Sequence, residues 1–258
     1  MARGRSLVDY ERLFIDGYDM SGYTIDPGER GADYDMGEAV CLSDAVKGAI
    51  LGRPTFTFGP VNGVFDNTAT SGIHVLANAA QGTRRNILHA RGVSGASAVG
   101  DDAFCAIMYQ QSYKAAQADN TSTVNMTFSH DATAGLNYRQ PFGVLLHPWG
   151  AETAANTANT NADNGAASAL GGWMMYQIYS ITGAGTVAIS IDESSTGSSG
   201  WAALSGATSG AIATASAPTA GFIQLATNAA VKQYLRFQVA FGGSATACTF
   251  GLAFMRGN

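Results

Sequence analysis

The chain is expected to be mainly β: an N-terminal β-sandwich or barrel with one flanking helix, followed by a C-terminal β-sandwich of Ig-like or jelly-roll-like kind. Three observations lead there. Apolar and polar residues alternate along Thr186–Ile191, Lys232–Phe241 and Thr246–Phe254, the period of a half-buried strand. Small turn residues separate these runs, at Asp192–Gly197 and at Gly242-Gly243, with the roughly 8–12-residue rhythm of a sandwich. Only 13% of the 258 residues are charged while 46% are apolar, against a usual charged share of about 25%.

Each element follows from its own residues. Residues 1–10 read as a flexible arm. Arg12–Gly22 reads as a strand, an Asp16-Gly17 turn and a second strand start. Residues 26–38 hold Pro27, three glycines and five acids, which argue for a loop. Asp44–Gly48 has the character of one helical turn. Pro54–Gly59 is a strand with Phe56 and Phe58 on one face. Asp66, Asn67 and Thr68 offer caps for a helix near 69–80 that buries Ile73, Leu76 and Ala77 and stops at Gln81-Gly82. Arg85–His89, Ala103–Tyr109, Thr123–His130 and Phe142–His147 read as strands, with Val124, Met126 and Phe128 on alternate positions. Residues 151–169 are almost wholly Ala, Asn, Thr and Asp, the composition of a linker or long loop. The expected division is therefore a first domain at 1–150, a linker or long loop at 151–170 and a second domain at 171–258, opened by the strand Trp173–Tyr179. No fixed-period repeat is visible.

Chemistry is sparse. Asp33, Asp35 and Glu38 cluster, but Gly37 occupies the position of a third oxygen ligand and the glutamate comes too early for a calcium loop; a solvated acidic loop is the reading. His74, His89, His130 and His147 have no partner histidine at metal-ligand spacing and read as surface or edge-strand residues. Gly92-Val93-Ser94-Gly95-Ala96 lacks the second glycine of a nucleophile elbow. Gly183-Ala184-Gly185 precedes a strand, so no helix N-terminus stands behind it to hold phosphate. Arg84 and Arg85 face opposite sides of a strand and make no basic patch. Cys41, Cys105 and Cys248 are far apart and read as buried hydrophobes in a reducing compartment. Trp149, Trp173 and Trp201 are core residues or, less simply, a sugar platform. No catalytic group, cofactor site or metal site is expected. A net charge of −5 gives no electrostatic case for gripping nucleic acid. The basic N-terminus lacks the apolar core of a signal peptide, and no apolar run approaches a membrane span of about 20 residues; the expectation is assembly in cytoplasm, with no membrane partner.

The order of elements does resemble a family. The strand, Gly-Pro and Gly-Val-Phe-Asp of Gly52–Asp66, the helix ending Val75-Leu76-Ala77-Asn78, the segment Val99–Phe104 and the strands Thr123–His130 and Phe142–Leu146 are similar to the major tail tube proteins of long-tailed, siphovirus-like bacteriophages. Gly172–Arg256 resembles the sandwich modules fused to phage structural proteins, through Ser194–Leu204 and Lys232–Phe237. The resemblance implies a virion structural protein. Six copies would join inner sheets into a ring, rings would stack as a tube, and DNA would pass through as cargo that is not gripped. Partners would be copies of itself and other tail proteins. It also makes Asp26, Glu29, Arg30, Asp33, Asp35 and Glu38 candidates for ring-to-ring contact, and Arg3 and Arg5 candidates for arm contacts. The second domain would decorate the outside. A capsid decoration or cement protein, and a carbohydrate-binding virion adhesin, are the other readings.

Overall fold

The β1 strand (Glu11–Ile15) turns through Asp16-Gly17 into β2 (Tyr18–Asp19). Asp16 and Gly17 both have positive φ, 49° and 86°, the backbone of a tight two-residue hairpin. The chain is seen here as a computed structural model that describes residues 10–39, 48–93, 95–118, 121–131, 141–155 and 160–257. After β2 come β3 (Thr24–Asp26), β4 (Glu29–Ala39), β5 (Gly48–Gly59), β6 (Val61–Val64), helix α1 (Ile73–Ala79), β7 (Arg84–Arg91), β8 (Asp102–Ala118), β9 (Thr121–His130) and β10 (Phe142–Glu152). The later strands are β11 (Ala162–Asp163), β12 (Gly172–Thr182), β13 (Gly185–Ser194), β14 (Ala202–Thr208), β15 (Ile212–Ala213), β16 (Thr219–Gln224), β17 (Tyr234–Gly243) and β18 (Ala247–Arg256).

The long path of the main sheet runs β16-β12-β18-β10-β8-β7-β1-β2, with β9, β6 and β3 branching from β8. A second sheet has the order β11-β17-β13-β14, with β15 on β13. The strands β10, β18 and β12 form a wall with a core on each side. Along β12, Trp173 and Met175 enter the first core and Met174 and Ile178 the second. On β18, Ala253 and Met255 point one way and Leu252 and Phe254 the other. The second core lies between this wall and the β13–β17 sheet. Both faces of the wall are therefore apolar, which is why β18 reads as a nearly unbroken buried run. The compositional change near residue 150 falls inside β10, near its end, and the chain returns to the same wall as β12. Within 151–169, β10 continues to Glu152, β11 pairs with β17, and Ser168 bridges Val231.

The main sheet curls without closing. Its β12 strand returns against β2 and β7, where Gln177 is fully buried. The Gln177 Oε1 accepts the Gly17 N–H at 2.6 Å, and its Nε2 donates to the Asn86 carbonyl at 2.9 Å. A side chain at Gly17 would run into the backbone of Ile178 and Thr219. The alternation at Val124, Met126 and Phe128 is as expected, all three buried.

Two expectations are corrected. Helix α1 is not capped by Asp66, Asn67 or Thr68: its N-cap is Gly72, without a side-chain hydrogen bond. Asp66 instead accepts the Thr68 N–H at 2.6 Å in a local turn, and its carbonyl accepts from His74 N. The helix is held by packing, with Ile73 and Ala77 buried and Gln110 Nε2 donating to the Ala77 carbonyl at 2.6 Å. Residues 26–38 are not a loop either. Most of them form β4, which pairs with β5 along its whole length. Backbone pairing outweighs the low strand propensity of its glycines and acids, because an antiparallel partner satisfies the peptide groups. The expected turn at 44–47 and Cys41 lie outside the described residues.

Candidate assembly surface

The β4–β5 ribbon is a separate two-stranded sheet. Directly opposed residues share a face, so Arg30 lies with Phe58, Ala32 with Phe56, and Tyr34 with Pro54. Beyond Arg30 this face is apolar. At its root Phe56 and Phe58 are buried in the first core, Phe58 meeting Phe104 at 5.4 Å and Phe128 at 5.5 Å. Further out the same stripe leaves the core: Tyr34 is 39% exposed and Met36 64%. The opposite face is polar. It carries Asp33, whose Oδ2 accepts from Thr57 Oγ1 at 3.0 Å, and the exposed Asp35. The ribbon is thus amphipathic, and among the described residues its apolar side is solvent-exposed at Tyr34 and Met36.

The root of the ribbon is fastened by a charged cluster. Glu11 of β1 accepts from Arg30 Nη2 at 3.0 Å on Oε1, and its carboxylate lies 3.1 Å from His89 Nε2 and 3.5 Å from Arg91 Nε. Burial by itself raises the Glu11 carboxyl; the His89 hydrogen bond and the charges of His89, Arg30 and Arg91 outweigh it and bring it down to about 2. Burial lowers His89, and Arg30 and Arg91 add to that against the pull of Glu11. A shallow cleft beside the cluster is lined by Glu11, Leu13, Ser21, Thr24, Pro27 and His89.

Of the residues expected at ring contacts, Asp26 closes β3 and accepts the Gly28 N–H at 2.9 Å. Glu29 opens β4 opposite Gly59, and Glu38 stands opposite Ala49. Arg30 turns inward to Glu11 of its own chain, while Asp33 and Asp35 lie outward. Arg3 and Arg5 lie outside the described residues. The exposed Tyr34 and Met36 were missed. Their signal was present, since Ala32, Tyr34 and Met36 alternate with Asp33 and Asp35, but the glycines and acids around them masked it.

The histidines are a further correction. His89 is fully buried and His147 is 5% exposed. His147 meets the Glu152 carboxylate at 3.0 Å and the Phe250 carbonyl at 3.1 Å, and stacks on Phe250 at 4.1 Å. Neither is an edge-strand surface residue. Arg84 and Arg85 do face opposite ways: Arg84 pairs with Asp131, and the buried Arg85 with Asp16 at 2.8 Å. Cys105 and Cys248 are buried free thiols, both pushed up by burial, Cys248 to about 12. Trp173 is a core residue, Trp149 stacks on Phe14 at 4.4 Å, and Trp201 carries the Arg236 guanidinium at 4.3 Å. Among the described residues no group of three or more His, Cys, Asp or Glu could hold a metal ion, and no helix is long and apolar enough to cross a membrane.

No protein family and no curated protein matches the chain. Solved structures that align over 95% of it include the SPP1 Dit protein, described as a paradigm of hub adsorption apparatus in phages infecting Gram-positive hosts, at 10% identity, a TM-score of 0.32 and 99% of that chain covered. The phage p2 baseplate in its activated conformation aligns with strontium at 6% identity, TM-score 0.33 and 98% coverage, and with calcium at 6%, 0.32 and 98%. At these scores the likeness carries no argument about this chain.

Proposed function

We propose that this chain is a structural subunit of a phage tail, and that it works by closing into hexameric rings of its own copies that stack as a tube. The observation that carries the reading is the amphipathic β4–β5 ribbon, whose apolar stripe runs from the core into solvent at Tyr34 and Met36. Such a stripe on a projecting ribbon is suited to a neighbouring copy. The open sheet supports the same reading. The short β2 ends the path on one side and β16 on the other, and ring closure is a physical means of covering such rims. Other tail proteins would meet the ends of the stack. The acidic balance of the chain suits a bore through which DNA slides without being held. In this arrangement the second core, built mainly from residues 171–258, sits on the outside of the ring, and the virion tail, assembled in the host cytoplasm, is its location.

The test is assembly. Sedimentation velocity and negative-stain microscopy of the purified chain are expected to show sixfold rings or tubes. Burying the remaining area of Tyr34 and Met36 contributes about 2 kcal/mol per contact, so Tyr34→Ser with Met36→Ser should weaken association about 30-fold. A wild-type chain that stays monomeric at high concentration, or a folded double variant that assembles equally well, would overturn the proposal.

A further inference from the structure

The ribbon is finished on one side only. Of its two strands β5 packs on the body, against β9 and through Phe56 and Phe58 in the first core, while β4 lies outermost. Among the described residues β4 pairs with β5 alone, and no strand lies along its other edge. A long bare edge of this kind is a template for one more strand. The edge is also charged in a regular way. Asp33 and Asp35 stand two residues apart on the polar face, both exposed, and no described cation pairs with either. The arginines whose side chains are described all have partners elsewhere.

One segment of the chain has the matching pattern. Arg3 and Arg5 are likewise two residues apart, within residues 1–9, which lie outside the described residues. That segment leads into Glu11, whose carboxylate accepts from Arg30 at 3.0 Å at the root of the ribbon. An extended arm running back from Glu11 toward the ribbon's tip is antiparallel to β4. We propose that residues 3–8 add to the bare edge of β4 in their own chain as a third strand, in the register that sets Arg5 opposite Asp33 and Arg3 opposite Asp35. Directly opposed residues of an antiparallel pair share a face, and unlike charges placed there attract.

Two features agree with this register. Eight residues separate Arg3 from Glu11 and eight separate Asp35 from Pro27, about 26 Å of strand in each case; the count therefore brings Glu11 level with Pro27, and these two residues line one cleft. Leu7 falls beside Gly31, where β4 leaves open space for a side chain. A two-stranded ribbon is marginal by itself. A third strand pairs the outer peptide groups of β4 and neutralises its acids, and it leaves the face of Tyr34 and Met36 open. The docking goes beyond the assembly reading and does not depend on it, because the arm and the edge belong to one chain.

Amide exchange should be followed in a sample diluted until sedimentation shows single chains. The alternate β4 amides that point away from β5 should be protected, and a chain lacking residues 2–8 should lose that protection by about tenfold or more, while amides facing β5 change little. Arg3→Glu with Arg5→Glu sets like charges opposite one another and should act the same way; adding Asp33→Arg and Asp35→Arg should restore protection. In a Cys41→Ser background, Leu7→Cys with Gly31→Cys keeps both charge pairs and should oxidise to a disulfide within one chain, read by mass spectrometry after digestion and by monomer mobility on a non-reducing gel. This pair serves if the charge-swapped chain does not fold. Outward amides that exchange freely in the full chain, a folded swap that does not restore them, or a disulfide that fails to form or joins two chains would each overturn the docking. None of these readouts requires rings, so failure of ring formation is distinguishable from failure of the arm.

Discussion

Replacing Gln177 by leucine should loosen the curl of the main sheet. Gln177 is fully buried on β12 and reaches across to the β1–β2 turn and to β7. Leucine ends one bond short of the amide oxygen and nitrogen and has no hydrogen-bonding group. The Gly17 N–H, bonded at 2.6 Å, would then be buried without a partner, at a cost of about 1–3 kcal/mol. The Asn86 carbonyl is less exposed to loss, because it also accepts from Asp16 N at 3.1 Å; losing its second bond costs about 1 kcal/mol. The sum is about 3 kcal/mol, which for a chain of this size lowers Tm by roughly 6–12 °C. Thermal and urea unfolding, each followed by tryptophan fluorescence, would measure it. Gln177→Glu refines the test. Ionised, its second oxygen faces the Asn86 carbonyl; protonated, it donates there. Burial raises its carboxyl in the folded chain, so its deficit relative to wild type should be smallest in acid and grow as pH rises. A Gln177→Leu chain that melts within about 2 °C of wild type would refute the claim that this amide braces the curl.

Two other outcomes follow from the packing. A chain ending at residue 170 loses β12 and β18, and with them Trp173, Met175, Ala253 and Met255 from the first core; at about 1.5–3 kcal/mol for each large side chain, this removes most of a typical stability of about 5–15 kcal/mol. It should show no cooperative melt, and a sharp transition would mean that the wall is dispensable. Arg256 donates to the Val231 carbonyl at 2.8 Å and to that of Lys232, and to Ser168 Oγ at 3.2 Å. Arg256→Met should cost about 3 kcal/mol locally and open residues 166–171 and 228–233 to limited proteolysis; an unchanged digestion pattern would show that the guanidinium is not what holds them.

Period two, turn residues and the Asp16-Gly17 pair are local signals, and they settled the β class, most strand positions and the α1 helix with its Ile73 and Ala77 face. They work because a strand's alternation and a tight turn's positive φ are properties of a few consecutive residues. Pro54–Gly59 was legible as a strand, but β4 was not, because it is held by its partner: nothing within 26–38 says that 48–59 will lie beside it. His89 and His147 were misplaced for a related reason. Burial depends on which strands stack over a residue, and a histidine's charge partners, Glu11 and Glu152, become partners only once the fold is made. The composition change near residue 150 was real, yet chain composition does not report pairing, so β10 joining β18 and β12 in one wall could not be read from it. Alternation along the chain thus determined what kind of layers form, while contacts between distant residues decided how those layers share strands, where charge is buried, and which apolar stripe is left facing solvent.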